Sequence, residues 1–294
     1  MTRWRSAVAT IGVLAVAACA APSSAPPVAP SPRPTIALGK QQQPRDLVGL
    51  WRVVATGEEA GAILRLGSDL SIWRRCADVF GGWRADTAGG FLGDTYVSSN
   101  ECAGAIASGD PRLHVPGAAA APGWLLRATA YRVDGAGRLL LDEHGGTVAR
   151  LIPSGEPSPR HVVGHKRYAK PVLDAALQQA LAPAAALPAK LRPATADELV
   201  GTWKSTDAGA NPRQFVTLMA DRSWRGSDGC NGQRGRWTAN GPGALLAVSG
   251  FSTVIGCSGQ DKAVQFALAR GAGFDGTTLV LTDAGGKVIG RLRH

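Results

Sequence analysis

Apolar and polar positions alternate along most of this chain, and one order of alternating runs and turns occurs twice. Asp46-Leu-Val-Gly-Leu-Trp51-Arg is answered by Glu198-Leu-Val-Gly-Thr-Trp203-Lys. Ala62–Trp73 matches Phe215–Trp224, each an alternating strand pair across a polar turn. Cys76 followed by Gly81-Gly-Trp83 answers Cys230 followed by Arg234-Gly-Arg-Trp237, and Cys102 falls where Cys257 does. Leu139–Leu151 mirrors Leu279–Leu292, apolar alternation on both sides of a Gly-Gly pair, which is a hairpin signature. Matching blocks in one order predict two homologous, mainly antiparallel β domains of α+β class, at 45–153 and 196–294. Between them, 154–195 reads as a linker. In it, Leu173, Ala176, Leu177, Ala180 and Leu181 share one face of a short helix over Lys170–Leu181, with Pro171 in its first turn.

The start of the chain carries a different pattern. A basic opening, Met1-Thr-Arg-Trp-Arg5, leads into an apolar run, Ala7–Ala18, that stops at Cys19. The run falls short of the roughly 20 apolar residues a membrane-crossing helix needs, so 1–18 reads as a cleaved secretory signal. Val16-Ala17-Ala18-Cys19 resembles the bacterial lipobox, which implies lipidation of Cys19, palmitate-type acyl chains included. Several acyl chains at ~0.8 kcal/mol per buried methylene anchor stably. The partner they imply is a membrane, and the address is its outer face. The Pro- and Ala-rich segment 19–44 that follows has too little apolar bulk to fold and reads as a disordered tether.

Charge and cysteines narrow the class. The formal net charge is +10, but the positive residues are scattered and the address is extracytoplasmic, so nucleic acid is excluded as a partner. Attraction to anionic lipid or envelope polymer remains open, as does a merely soluble surface. Four cysteines besides Cys19 in an exported chain read as disulfides. The duplication pairs them as Cys76–Cys102 and Cys230–Cys257, each bridge worth roughly 3–4 kcal/mol on a chain-entropy argument. A zinc site from all four lacks any CxxC knuckle and would need ligands from both domains.

In the second domain, Trp203, the strand at Phe215, Asp228-Gly-Cys-Asn231, Gly235-Arg-Trp237 and Thr253-Val-Ile-Gly-Cys257 resemble the META, or HslJ-like, domain. The resemblance covers essentially 196–294. It implies a compact antiparallel module with a helix, here near Asp261–Arg270, and a terminal hairpin. It also implies an envelope protein linked to heat shock, motility or drug-resistance phenotypes, without an agreed activity. The first domain departs from the pattern. Ala77 stands in place of Asn231, Asn100-Glu-Cys102 replaces the Thr-containing run, and an insert, Ala103–Pro122, occupies the helix region.

Candidate chemistry is sparse. Asn231 is a candidate ligand contact, though Gly229-Cys-Asn231-Gly232 also suits a tight turn with left-handed residues. The pairs Trp51/Trp203, Trp73/Trp224 and Trp83/Trp237 read as core or domain-face aromatics rather than a binding groove. Gly271-Ala-Gly-Phe-Asp-Gly276 has the letters of a dinucleotide fingerprint but follows a helix and leads into a strand, so it reads as a turn. His161 and His165 sit four apart in linker sequence without a third ligand. Glu58, Glu59, Asp142 and Glu143 read as surface acids, and no nucleophile elbow is present. The sequence thus assigns no catalytic residues, metal or cofactor. It leads to a non-enzymatic envelope lipoprotein that binds an envelope polymer, a small apolar ligand or another exported protein, or supports stress tolerance. The alternatives are a hydrolase with its site between the domains and an enzyme inhibitor using Ala103–Pro122. If lipid on Cys19 holds the protein, Cys19→Ser moves it from the membrane pellet to the soluble fraction. Retention of the variant in the pellet on fractionation would refute the anchor.

Overall fold

The computed structural model divides into two units, Met1–Pro34 and Thr35–His294. It describes residues 42–75, 77–100, 121–158, 168–206, 211–252 and 262–294. The signal, Cys19, most of the tether, Cys76, Cys102, Cys257, His161, His165 and most of the insert lie outside them; the end of the tether is ordered, with Gln42 buried and its N–H donated to Thr87 O at 3.2 Å.

The described chain is mainly antiparallel β with a few short helices. Its first part runs through β1 (Gly49–Val54), β2 (Ile63–Leu66), β3 (Leu70–Trp73), β4 (Ala77–Ala85) and β5 (Phe91–Asn100). Helix α1 (Gly123–Arg127) leads to β6 (Ala130–Asp134), β7 (Gly137–Leu141) and β8 (Thr147–Pro153). These strands form one sheet in the order β5-β4-β3-β2-β1-β8-β7-β6. An isolated bridge, Gly90 to Ala130, joins the two ends of that order and closes the sheet into a barrel.

After α2 (Ala175–Ala180), β9 (Arg192–Pro193) and α3 (Ala196–Leu199), the order repeats. The strands are β10 (Gly201–Ser205), β11 (Gln214–Leu218), β12 (Ser223–Asp228), β13 (Gly232–Thr238), β14 (Leu246–Ser252), β15 (Gly271–Asp275), β16 (Thr278–Thr282) and β17 (Val288–Arg293). Helix α4 (Lys262–Leu268) lies between β14 and β15, as α1 lies between β5 and β6. The sheet order is β14-β13-β12-β11-β10-β17-β16-β15-β9, with Ala244 bridging Gly271 where Gly90 bridges Ala130.

Repeated tryptophans shape both barrels by the same hydrogen bonds. A buried indole N–H needs an acceptor, and Trp51 Nε1 donates to the Leu47 carbonyl at 2.7 Å as Trp203 Nε1 donates to that of Leu199 at 2.8 Å. Trp83 Nε1 donates to Gly67 O at 2.8 Å, and Trp237 Nε1 to Met219 O at 3.2 Å and Ser223 O at 3.0 Å. Two residues before each of these last tryptophans stands a glycine at a register shift, Gly81 in β4 and Gly235 in β13. A Cβ on Gly81 would lie 1.9 Å from Asp94 O, and one on Gly235 2.0 Å from Val248 O. The Gly-x-Trp motif therefore marks a bulge where the neighbouring carbonyl fills the space of a side chain.

Several expectations are corrected by register. Leu66 pairs with Leu70, and Leu218 with Trp224, so the counterpart of Trp224 is Leu70. Trp73 instead faces Ile63, because the second hairpin carries a longer turn, Met219–Ser223 against Gly67–Asp69. The terminal hairpins also slip by one. Asp142 and Gly145 bond as Asp283 and Gly286 do, which makes Leu141 the counterpart of Thr282. Gly271–Asp275 is a strand, not a turn; its glycines make room for Leu187 and the Arg192 carbonyl. The linker helix begins at Ala175 rather than at Pro171, because Asp174 caps it by accepting the Leu177 N–H at 2.8 Å.

Gly81→Ala and Gly235→Ala should each lower the unfolding free energy by ~3 kcal/mol through overpacking against a carbonyl. Gly232→Ala, which opens onto free space, should change it by no more than ~0.5 kcal/mol. Urea unfolding of the three variants measures the contrast.

Candidate functional site

The two barrels meet through the outer faces of two equivalent strands, β5 and β14. Leu92, Leu246 and Val248 form a small apolar cluster there, separate from the barrel cores that hold Phe91 and Ala247 on the opposite strand faces. Register makes Leu92 the counterpart of Leu246, because Trp83 pairs with Gly93 as Trp237 pairs with Ala247. The contact is thus built from like positions.

Charge surrounds this cluster. Asp86 Oδ1 accepts the Gly90 N–H at 2.7 Å; burial raises the Asp86 carboxyl, against the opposing pull of Gly90 and the positive charge of Arg270. Burial also lowers Arg270 to about 10, with Arg84 adding to the fall and Asp86 resisting it. Asp94, raised by burial, faces Arg236 and Arg234, which oppose the shift.

Beside the contact lies a cleft of about 300 Å³. The first barrel contributes Leu126, Arg127 and Thr129 at the end of α1, and Asp142, Glu143 and His144 from the β7–β8 turn. The second contributes Ala220, Asp221 and Arg222 from the β11–β12 turn, and Arg236 from β13. Arg236 alternates with the inward Trp237 and so points away from its own core. Its guanidinium is lowered by burial, while Asp94, Asp221 and Glu143 resist. Arg236 Nε has no hydrogen-bond partner among the described residues. Arg222 takes a left-handed backbone at φ 67°, and its guanidinium lies 4.8 Å from the centre of the Trp237 ring.

The carboxylates of the cleft are mostly committed to their turns. Asp142 Oδ1 accepts the N–H groups of His144 and Gly146 at 2.9 and 2.8 Å. Asp221 Oδ1 accepts the Ser223 N–H and hydroxyl, hydrogen bonds that hold its carboxyl below the usual range. Neither a family model nor a curated protein nor a solved structure matches this chain.

Among the residues singled out in the sequence, Asn231 is away from the cleft. It is nearly buried, and its backbone and side-chain amides both donate to Asp228 in a turn where Gly229 has φ 93°. Cys230 in that turn is disulfide-bonded, with its partner outside the described residues. Asp142 and Glu143 do reach the cleft. Arg127, Arg222, Arg236 and His144 were not singled out; only the position of Arg236 beside an inward tryptophan hinted that it faces outward. Among the described residues no group of three His, Cys, Asp or Glu is arranged to hold a metal.

Glu58 is not a surface acid. Its side chain is 2 % exposed, and Arg74 grips it with Nε and Nη2, each at 2.8 Å, while Trp124 Nε1 donates at 2.9 Å. Burial by itself pushes the Glu58 carboxyl up, but the hydrogen bonds from Arg74 and Trp124 outweigh it and hold the group below its ordinary value. A lowered folded value means stability present above the unfolded value of 4.5 and lost as pH falls through the folded one. Glu58→Gln should cost about 3 kcal/mol at pH 7 by leaving Arg74 unpaired. The gap from the parent should begin to narrow below about pH 4.5 and be smaller at pH 3 than at pH 7, as urea unfolding at the two pH values would show.

Proposed function

We propose that this chain is an exported, lipid-anchored protein whose two tandem META-like domains bind a small polar ligand in the cleft between them without transforming it. The observation that carries the reading is the cleft itself. Two guanidinium groups on a buried footing, Arg222 and Arg236, line a hollow whose aspartates are held by their own turns. Its volume is at the lower end of the ~300–1,000 Å³ typical of small-ligand sites. The charged lining favours a polar ligand over the apolar one that composition left open. The duplicated strand order supports two tandem domains. The lipobox-like start supports lipid on Cys19, and the exported address supports bridges Cys76–Cys102 and Cys230–Cys257.

A hydrolase working at the same place is the second reading, since a polar cleft between the barrels is where its site would lie. Glu143, on the exposed β7–β8 turn with its carboxylate 3.7 Å from His144 Nε2, is the group that would have to serve it. Native mass spectrometry of protein released from its own envelope, before and after denaturation without reductant, tests the binding reading. A ligand mass lost on denaturation, and missing from Arg236→Gln, is the expected result. A mass explained by chain, lipid and two disulfides alone would count against a resident ligand.

A further inference from the structure

Contacts between the two barrels are reciprocal between equivalent positions. Gly82 and Arg236 are equivalent, as are Val248 and Asp94. Gly82 faces Val248, with 3.1 Å from its built Cβ to Cγ2, while Arg236 faces the charge of Asp94. Asp86 is equivalent to Asn240, and Arg270 to Thr129. Asp86 interacts with Arg270, while Asn240 Nδ2 donates to the Thr129 carbonyl at 3.3 Å. Such an arrangement is isologous, the same patch used on both sides. It generates two equivalent clefts, one on each side of the contact.

The chain fills one of them itself. The open cleft lies between the β11–β12 turn and the β7–β8 turn, so its counterpart lies between the β2–β3 turn and the β16–β17 turn. The linker enters that counterpart at Pro171, whose Cβ is 3.1 Å from the position of a Cβ on Gly67. Helix α2 then lies along Ser68, Trp83 and Arg84, with Asp174 and Arg84 lining one hollow of about 180 Å³. The linker leaves where Ala185 N donates to Ala284 O at 2.8 Å. Ala284 is the counterpart of Glu143, which lines the open cleft.

Resting on the reading of the open cleft as the ligand site, we infer that it takes a short peptide segment of another protein, carrying a carboxylate followed by small apolar residues. The filled cleft shows what this geometry accepts: a helix whose capping Asp174 lines the same hollow as the arginine, then Ala176, Leu177, Ala180 and Leu181, then a backbone N–H to a turn carbonyl. The open cleft offers matching parts. The outward row of the equivalent strand carries Arg84 in β4 and Arg234 and Arg236 in β13, of which Arg236 lines the open cleft. Leu126 and Ala220 supply apolar wall, and the Glu143 carbonyl stands where Ala284 accepts the linker. A guanidinium suits a carboxylate because its planar fork can make two parallel hydrogen bonds.

The test uses the full chain and a fluorescent synthetic peptide with the sequence of Pro171–Ala185, followed by anisotropy. Saturable binding is expected, at least tenfold weaker to Arg236→Gln, tenfold weaker for a peptide with Asp174→Asn, and abolished by Ala220→Trp. Ala220 is on an exposed turn, so that variant closes the cleft even if loss of Arg236 disturbs folding. Equal binding to the parent and Ala220→Trp would overturn the inference, since the peptide would then be sitting elsewhere. So would no saturation at millimolar peptide. If the peptide fails but native mass spectrometry shows a ligand that Ala220→Trp loses, the cleft stands and the peptide class falls. If Ala220→Trp changes neither readout, both fall.

Discussion

The cleft exists because two strand faces that should meet water meet each other instead. Leu92 on β5 and Leu246 and Val248 on β14 project away from their own barrel cores. Burying each is worth roughly 1.5–3 kcal/mol. Three such side chains make a small apolar contact, so the polar rim has to fit as well. The rim does so with opposite charges across the contact, Asp94 against Arg236 and Asp86 against Arg270. These groups are desolvated on both sides, which is why burial raises the aspartates and lowers the arginines. Their attraction offsets that cost rather than adding a surplus, and it fixes orientation more than it adds stability.

Within each barrel, the controlling constraint is the buried indole. Trp51 and Trp203 lock the entry turn to the first strand through the carbonyl four residues earlier. Trp83 and Trp237 lock the fourth strand of each barrel to the second hairpin turn. The glycine two residues before each of the latter pair is required by an approaching carbonyl, not by turn conformation. Equivalent positions thus carry the same residue where the backbone is crowded. They diverge where the side chain faces the other barrel, Gly82 against Arg236 and Asp86 against Asn240. That divergence makes the two clefts chemically different, so that one linker fills only one of them.

Much of the architecture was legible in the residues. Alternation and matched blocks marked the antiparallel strands of the two sheets and most of the turns between them. The Trp73/Trp224 match failed because a turn of different length shifts register without altering the alternation. The terminal hairpin slipped by one because adjacent glycines can each occupy the left-handed position, and only the hydrogen bonds select Gly145 and Gly286. Glu58 looked like a surface acid because its partners, Arg74 and Trp124, lie 16 and 66 residues away.

By itself the sequence determined the elements, since periodicity, turn glycines and buried tryptophans are local and each residue carries its own preference. What only the tertiary structure decided was the meeting of β5 with β14, the path of the linker over one side, and the gathering of Arg127, Asp142, Arg222 and Arg236 around the other. Those residues come from four separate stretches of chain, and no local rule links them. Their proximity follows from how two closed barrels pack, a property of surfaces in three dimensions.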